Sequence, residues 1–194
     1  MLRNIPGILI SNVSFPKIIE EQIIEQNKDS KLMIPYILKS IKQLERAGAD
    51  FMVLPCNTLH EILPILKKET KVPVIDLVDE TSKILTKYNR VGILASTRTK
   101  ESKIYDKFAN STEIVYPTKE EQDRISHIII KIIRKSYDES DKLEINNIIL
   151  NLKKRGSEKV ILACTDLANI TEKDDFLIDT QEVLISSIKE IMKS

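Results

Sequence analysis

The chain contains two cysteines, and both stand where a β-strand is predicted to end. Cys56 follows the apolar run FMVLP, Cys164 ends the run KVILAC, and polar residues come after each cysteine. In open α/β sheets, ligands bind in the crevice beyond the carboxyl ends of the strands, next to helix N-termini. Backbone N–H groups and the helix dipole stabilise a thiolate there. We therefore expect both thiols to line a ligand-binding crevice, with pKa values below that of free cysteine, and to act as bases or nucleophiles.

The sequence around the two cysteines repeats at the 108-residue offset that separates them. The stretch IKQLERAGADFMVLPCNTL aligns with ILNLKKRGSEKVILACTDL, so a helix, a glycine, a strand and a cysteine recur in the same order. Gly48 and Gly156 stand at equivalent places directly after the helices, where glycine can take the left-handed cap conformation. The repeat predicts two related α/β halves that each contribute one thiol to a shared cleft.

Two thiols on opposite faces of a bound tetrahedral carbon are suited to stereoinversion. One cysteine, as thiolate, would remove a proton from one face, and the other, as thiol, would return a proton to the opposite face. The carbanion formed beside a carboxylate needs hydrogen-bond donors aimed at that carboxylate. Asn57, Thr58 and Thr165 come directly after the cysteines and have suitable donor groups.

Three other roles for the cysteines have less support in the sequence. A cysteine at the end of a buried strand is often an ordinary small hydrophobic residue, but that role does not account for a pair at equivalent repeat positions. A metal site is disfavoured because the chain has two histidines and no close Cys-x-x-Cys pair. A redox dithiol also requires a close pair. We expect no metal and no cofactor, since the four glycines form no phosphate-binding loop.

The elements that must position the thiols alternate between short apolar runs and longer stretches of helical period. The predicted strands are GILISN, FMVLP, VPVID, RVGILAS, EIVYP, KVILAC and FLID. This alternation with predicted helices indicates an α/β fold with parallel sheets. We predict two pseudosymmetric parallel-sheet α/β domains, at residues 1–86 and 87–179, with the active site in the cleft between them. The C-terminal helix, at about 180–194, is expected to pack back on the first domain.

The composition argues against several classes of partner. The 30 Lys and Arg residues nearly balance the 29 Asp and Glu residues, so the charge does not favour nucleic acid or an acidic membrane surface. Apolar runs stay shorter than the roughly 18 residues of a transmembrane span, and the N-terminal stretch lacks the features of a signal peptide. We expect a cytoplasmic protein with free thiols and a small-molecule partner.

Four motifs resemble those of the aspartate/glutamate racemase superfamily, with the aspartate racemases as the most similar branch. LPCNTLH and ILACTDL resemble its two cysteine motifs, VGILASTRTKESKIYDK its threonine-rich segment, and YPTKEEQDRI a Pro-Thr-x-Glu-Glu-Gln stretch. The resemblance runs from about Gly7 to the end of the chain. It implies cofactor-independent racemization of an acidic amino acid, L-aspartate to D-aspartate, by Cys56 and Cys164 in an interdomain cleft, usually within a homodimer.

The resemblance also implies which residues contact the substrate. By their positions in the motifs, these are Asn12, Asn57, Thr58, Ser96, Thr97, Thr99 and Thr165. Arg134 corresponds to a lysine of aspartate racemases, and we expect Arg134, ahead of Arg98, to bind an acidic side chain, since guanidinium binds carboxylate bidentately. His60 belongs to the first cysteine motif, where it has either an indirect catalytic role or contacts with local backbone groups.

The chain departs from the family pattern in ways that leave the substrate open. Ala163, Asp166 and Arg98 stand where glycine, glutamate and glycine are usual, and the chain is expected to begin about one β-α unit later than family members. These differences leave both cysteines in place and affect the residues expected to recognise the substrate side chain. Glutamate or hydantoin racemization, with the same thiols and a different pocket, is one alternative. A noncatalytic protein that holds a small acidic ligand in the cleft is another.

Overall fold

A computed structural model describes residues 7–108 and 112–193 of the chain, so residues 1–6 of the predicted first domain lie outside the described residues. The helices are α1 (Lys17–Ile24), α2 (Ile34–Arg46), α3 (Leu63–Lys68), α4 (Leu77–Leu85), α5 (Thr97–Glu101), α6 (Lys119–Ile133), α7 (Glu139–Lys154), α8 (Thr165–Ala168) and α9 (Thr180–Ile191). The strands are β1 (Met52–Val53), β2 (Val74–Ile75), β3 (Arg90–Ala95), β4 (Glu113–Val115), β5 (Lys159–Ala163) and β6 (Leu177–Asp179). Short 3-10 helices occur at Ser30–Met33, Thr58–Glu61 and Asp106–Phe108. Within the described ranges, none of the helices combines the length and the apolar character that a membrane span requires.

The strands form two parallel sheets of different size. β1 and β2 pair over two residues each. The other four strands form one sheet in the order β4-β3-β5-β6, with β3 and β5 at its centre. The predicted α/β class with parallel sheets is therefore confirmed.

The stretch at residues 7–12 is the one predicted strand that does not form. Its backbone is neither helix nor strand, and Ile8 and Ile10 are 81% and 88% exposed. A strand is stabilised by pairing its N–H and C=O groups with a neighbouring strand, and none of the strands within 7–108 and 112–193 pairs with this stretch. The strand predicted from this apolar run is therefore wrong, because strand formation depends on a pairing partner elsewhere in the fold.

Both helix-glycine-strand units of the repeat form as predicted. α2 and α7 end just before Gly48 and Gly156, whose φ angles are 83° and 89°. A left-handed residue at this point turns the chain from the helix into the next strand. β1 then ends at Val53, three residues before Cys56, and β5 ends at Ala163, directly before Cys164.

Separate hydrophobic clusters support the two sheets. One cluster contains Ile37 of α2, Met52 of β1 and Leu66 of α3. The residues of β3 and β5 alternate between two further clusters, so the four-stranded sheet is buried on both faces. α9 packs against α4, and α4 belongs to one of these two clusters. The domain boundary near residue 86 stays a prediction.

Candidate active site

Both cysteines line one cavity of about 240 Å³. Sites for drug-sized ligands usually measure roughly 300–1,000 Å³, so this volume suits a smaller molecule. The polar lining residues include Asn57, Thr58, Ser96, Thr97, Thr165 and Asp166. The apolar lining residues include Phe15, Ile23, Met33, Leu59, Ile129 and Ile133.

Cys56 is a half-buried residue, and the short 3-10 helix Thr58–Glu61 follows it. Burial raises its pKa, because the cavity removes the water that would solvate a thiolate. Hydrogen bonds from the backbone N–H groups of Leu59 and Thr58 oppose this effect, and the charge of Asp166 adds to it. The net effect is a thiol that is protonated at neutral pH.

The Cys164 thiol, at the N-terminus of α8, shows the same balance more strongly. Burial, followed by repulsion from Asp166, raises its pKa to about 12, although the N–H groups of Asp166 and Leu167 oppose the shift. The Cys56 thiolate would also repel a thiolate at Cys164. The prediction that helix N-termini lower both thiol pKa values is therefore wrong for the free protein, because desolvation outweighs the backbone donors.

His60 holds the end of the first cysteine strand in place. Its Nδ1 lies 2.8 Å from the carbonyl oxygen of Cys56, and its Nε2 accepts a hydrogen bond from the N–H of Leu77 at 3.0 Å. These partners fix the neutral tautomer with the proton on Nδ1. Burial lowers the pKa of His60, which favours the same neutral form. The contacts agree with the second role considered from the sequence, that of a partner for backbone groups.

Asn57 lines the cavity, but protein groups engage both ends of its amide. The side chain is 2% exposed. Its Nδ2 donates to Oγ1 of Thr180 at 3.0 Å, and its Oδ1 accepts from the hydroxyl of Tyr105 at 2.5 Å. Thr180 in turn donates to the carbonyl of Leu162 in β5 at 3.0 Å. The amide thus connects the turn after Cys56 with the strand that carries Cys164.

Three of the hydroxyl groups predicted to contact the substrate, those of Thr58, Ser96 and Thr99, are hydrogen-bonded to one another. Oγ1 of Thr58 lies 2.9 Å from Oγ of Ser96 and 3.1 Å from Oγ1 of Thr99. Oγ1 of Thr97 lies 2.6 Å from Oγ of Ser126. Thr99 is 2% exposed and is absent from the described lining of the cavity. Since each hydroxyl both donates and accepts, the lining hydroxyls can rotate to serve a ligand.

Besides Thr99, two further predicted substrate contacts do not line this cavity. Asn12 is exposed, in the stretch without secondary structure. Arg134 caps the C-terminus of α6 and pairs with Glu25 in a neighbouring surface depression, which shares Glu20 and Ile133 with the cavity. Thr165 lines the cavity as expected. The roles of Asn12 and Arg134 in substrate binding stay predictions, since neither residue lines the cavity that contains the two thiols.

Several lining residues were missed by the sequence reasoning. Ser126, Ile129 and Ile133 occupy one face of α6 and line the cavity together, and their i, i+3, i+7 spacing is a signal that could have found them. Asp166 was noted only as a departure from the family motif, yet its charge acts on both thiols. Burial raises the pKa of Asp166 itself.

The chain is similar in sequence to a named amino-acid racemase. It is 26% identical over 134 residues to the broad specificity amino-acid racemase RacX of Bacillus subtilis, and the match covers 68% of this chain and 58% of RacX. The matched region is thus less than two thirds of that relative's length.

Solved structures show the same fold. An aspartate racemase homologue from Pyrococcus horikoshii superimposes with a TM-score of 0.70 and 24% identity, over 89% of this chain and 80% of that one. The Picrophilus torridus aspartate racemase superimposes with a TM-score of 0.67 and 24% identity, over 83% of this chain and 69% of that one. At these identities the likeness shows a shared fold and no more.

The family assignment rests on a match along most of the sequence. The family profile described as Asp/Glu/Hydantoin racemase matches residues 3–190. This match confirms the superfamily that the cysteine motifs indicated. The chain therefore belongs to the Asp/Glu/hydantoin racemase family.

Proposed function

We propose that the protein racemizes an α-amino acid without a cofactor, with Cys56 and Cys164 as its two proton-transferring groups. The observation that carries the proposal is that both thiols, from equivalent positions of the repeat, line one cavity of about 240 Å³. Inversion at Cα needs a base on one face and an acid on the other. Two thiols of similar chemistry can exchange these roles when the opposite enantiomer binds.

One thiol has to lose its proton to solvent as the substrate binds, because burial raises the pKa of both thiols in the free protein. The α-ammonium group of an amino acid brings a positive charge, which lowers the pKa of a neighbouring thiol. The carboxylate of Asp166 is suited to bind this ammonium group, and the pairing would relieve its repulsion of both sulfurs. Backbone N–H groups and the hydroxyls of Thr58 and Thr165 are suited to the α-carboxylate, where charge develops.

Proton transfer then follows in two steps. The thiolate takes the proton from Cα and becomes a thiol, and the C–H electron pair is delocalised into the α-carboxylate. The second thiol gives its proton to the opposite face of Cα and becomes the thiolate. The product is the other enantiomer, and the protein is left ready for the reverse reaction.

Aspartate is the substrate that the sequence predicts. The names of the Picrophilus and Pyrococcus relatives agree with an acidic substrate, whereas RacX is named for broad specificity. An acidic side chain needs a positive partner in the cavity, and Arg98 is the one cation among the described residues that line it.

A noncatalytic ligand-binding protein is the second candidate. The observation that favours it is the raised pKa of both thiols, about 12 for Cys164, since inert buried cysteines have the same property. In that case the cavity would bind an amino acid without inverting it.

Single enantiomers distinguish the two candidates. The protein is treated with a chelator, dialysed and incubated separately with the D and L forms of aspartate, asparagine, leucine and alanine, and chiral chromatography follows the opposite enantiomer. We expect at least one pair to reach equal amounts from both sides, because enantiomers have equal free energies. Binding of these amino acids without any inversion would contradict the proposal and favour the second candidate.

A further inference from the structure

We infer that the cavity selects a neutral, branched apolar side chain of the leucine type, and that Glu61 sets this selectivity by neutralising Arg98. The inference rests on the proposed function and adds the class of substrate. Leucine and aspartate share their branching at Cγ and differ mainly in charge, so the choice between them reports the electrostatics of the cavity.

The charges around the cavity do not favour a second substrate carboxylate. Among the described lining residues, Glu20 and Asp166 carry carboxylates and Arg98 carries the one positive charge. The ammonium group of any amino acid can pair with Asp166, and hydroxyl and N–H groups can bind its α-carboxylate. An aspartate side chain would add a further negative charge, which is costly in a half-buried site unless a cation faces it.

Two carboxylates already face Arg98. Its Nε donates to Oε2 of Glu61 at 2.7 Å, and its Nη2 donates to Oε1 of the same carboxylate. Asp29 lies 3.9 Å from the same Nη2. The side chains of Arg98 and Glu61 are only 19% and 22% exposed. A bidentate pair of this kind is among the strongest polar contacts in proteins, and it fixes the plane of the guanidinium.

Glu61 has a second hydrogen-bond partner besides Arg98, which disfavours a switch of Arg98 from Glu61 to a substrate carboxylate. The hydroxyl of the fully buried Ser30 donates to Oε2 of Glu61. If Arg98 turned to a substrate carboxylate, Glu61 would remain as a half-buried carboxylate without its cation. Breaking a pair by removing one partner is far more costly than leaving the pair intact. The charge of Arg98 is therefore not free to recognise an acidic side chain.

The apolar residues of the lining match a hydrocarbon side chain. Phe15, Ile23 and Met33 contribute from the N-terminal half, and Leu59, Ile129 and Ile133 contribute from the turn after Cys56 and from α6. Ile129 is 5% exposed, whereas Ile133 is 46% exposed. A branched hydrocarbon side chain would bury apolar surface against these residues without losing any hydrogen bond.

Glu61 lies where it can link catalysis and selectivity. It ends the 3-10 helix Thr58–Glu61 that begins two residues after Cys56, whereas Arg98 is in α5 of the other half of the repeat. The pair therefore joins the two sides of the cleft while it cancels charge. Replacing Glu61 by the isosteric glutamine would keep the shape and leave Arg98 with Asp29, at 3.9 Å, as its remaining acidic partner.

Binding of L-leucine, L-asparagine and L-aspartate to the unmodified protein, measured by isothermal titration calorimetry, tests the inference without relying on turnover. We expect leucine to bind at least about tenfold more tightly than aspartate, because the second carboxylate has no free cation. Equal or tighter binding of aspartate, or no binding of leucine, would overturn the inference. Leucine that binds tightly but is not inverted would support the inference and contradict the proposed function, whereas preferred binding and inversion of aspartate would do the reverse.

The variant Glu61→Gln tests the role of the pair, with Glu69→Gln, at an exposed position after α3, as the matched control. We expect the affinity for aspartate relative to leucine to rise at least about tenfold in Glu61→Gln, since the half-buried guanidinium of Arg98 would gain the substrate carboxylate as a partner. The control should leave this ratio unchanged. An unchanged ratio in a folded Glu61→Gln protein would overturn the role of Glu61. If circular dichroism shows that the variant does not fold, the leucine and aspartate affinities of the unmodified protein decide the inference.

Discussion

The two cysteines lie at the ends of strands that are held in very different ways. Cys164 follows β5, which pairs with β3 over five residues and with β6 over three. Cys56 follows β1, which pairs with β2 over two residues. A ladder this short contributes little on its own. The first cysteine therefore needs support that the second receives from its sheet.

Side chains provide that support around Cys56. His60 joins the Cys56 carbonyl to the N-terminus of α4, and Asn57 joins the same turn to Tyr105 and Thr180. In the repeat, the position of His60 is occupied by Ala168 in the second unit, where the Cys164 carbonyl accepts from the N–H of Leu167 at 3.1 Å. The equal chemical roles that we propose for the two thiols thus do not require equal structural support.

Alanine at either cysteine gives the largest expected effect, because the proposed mechanism needs a thiol on each face of Cα. We expect Cys56→Ala and Cys164→Ala each to lower the rate of racemization at least about 100-fold, the usual minimum for a lost general acid or base. The measurement is the initial rate from either enantiomer, with unfolding curves to show that both variants fold. Full activity in either variant would contradict the equal roles.

Loss of His60 should lower the stability of the protein, because the first cysteine unit depends on this side chain and the second has Ala168 at the equivalent position. We expect His60→Ala to lower the free energy of unfolding by about 2 to 4 kcal/mol, because it leaves the part-buried Cys56 carbonyl and the buried Leu77 N–H without their partners. His127→Ala, at an exposed position on α6, is the control and should change it by less than about 0.5 kcal/mol. Urea denaturation measures both. Equal effects would show that the histidine is not what holds the first unit.

Alkylation at different pH values tests whether burial, which raises the thiol pKa, outweighs the backbone N–H donors, which lower it. Burial raises the pKa of both thiols, so the reactive thiolate fraction should still be rising at pH 9. We expect the iodoacetamide rate to increase about tenfold per pH unit from pH 7 to about pH 9, whereas an ordinary cysteine levels off near its pKa of about 8.5. Mass spectrometry of the single-cysteine variants separates the two sites. A plateau near pH 7 would mean that the backbone donors outweigh burial.

Arg134→Ala has the smallest expected effect. Arg134 pairs with Glu25 at the surface, where their side chains are 60% and 37% exposed, and such pairs contribute little free energy. We expect the KM of any amino-acid substrate to change by less than about threefold. A steep rise in the KM for aspartate alone would instead support the prediction from the sequence that Arg134 binds an acidic side chain.

The parts of the fold that were predicted correctly depend on local sequence. The strands β1 to β6 show as apolar runs, and Gly48 and Gly156 mark the helix ends through their own conformational freedom. The stretch at residues 7–12 has the same apolar signal but no pairing partner in the described structure. Pairing joins distant segments, and a single run does not reveal it.

The same division applies to the candidate site. The repeat and the motifs indicate that Cys56 and Cys164 belong together. The direction of their pKa shifts depends on how deeply the cavity is enclosed, which local sequence does not reveal. Asn57 reads as a substrate ligand from its motif, yet its partners Tyr105 and Thr180 lie 48 and 123 residues away in the chain. The neutralisation of Arg98 by Glu61 is also a contact between the two halves of the repeat.

Inversion in heavy water tests the two-thiol account most directly. A single L enantiomer that the protein inverts is incubated in deuterium oxide, and chiral chromatography with mass spectrometry measures Cα deuterium in both enantiomers early in the reaction. We predict one deuterium in every newly formed D molecule and almost none in the remaining L substrate, because the thiol on the opposite face carries a solvent-derived proton. Deuterium entering the remaining L form as fast as the D form, or D product without deuterium, would contradict proton transfer between two separate thiols.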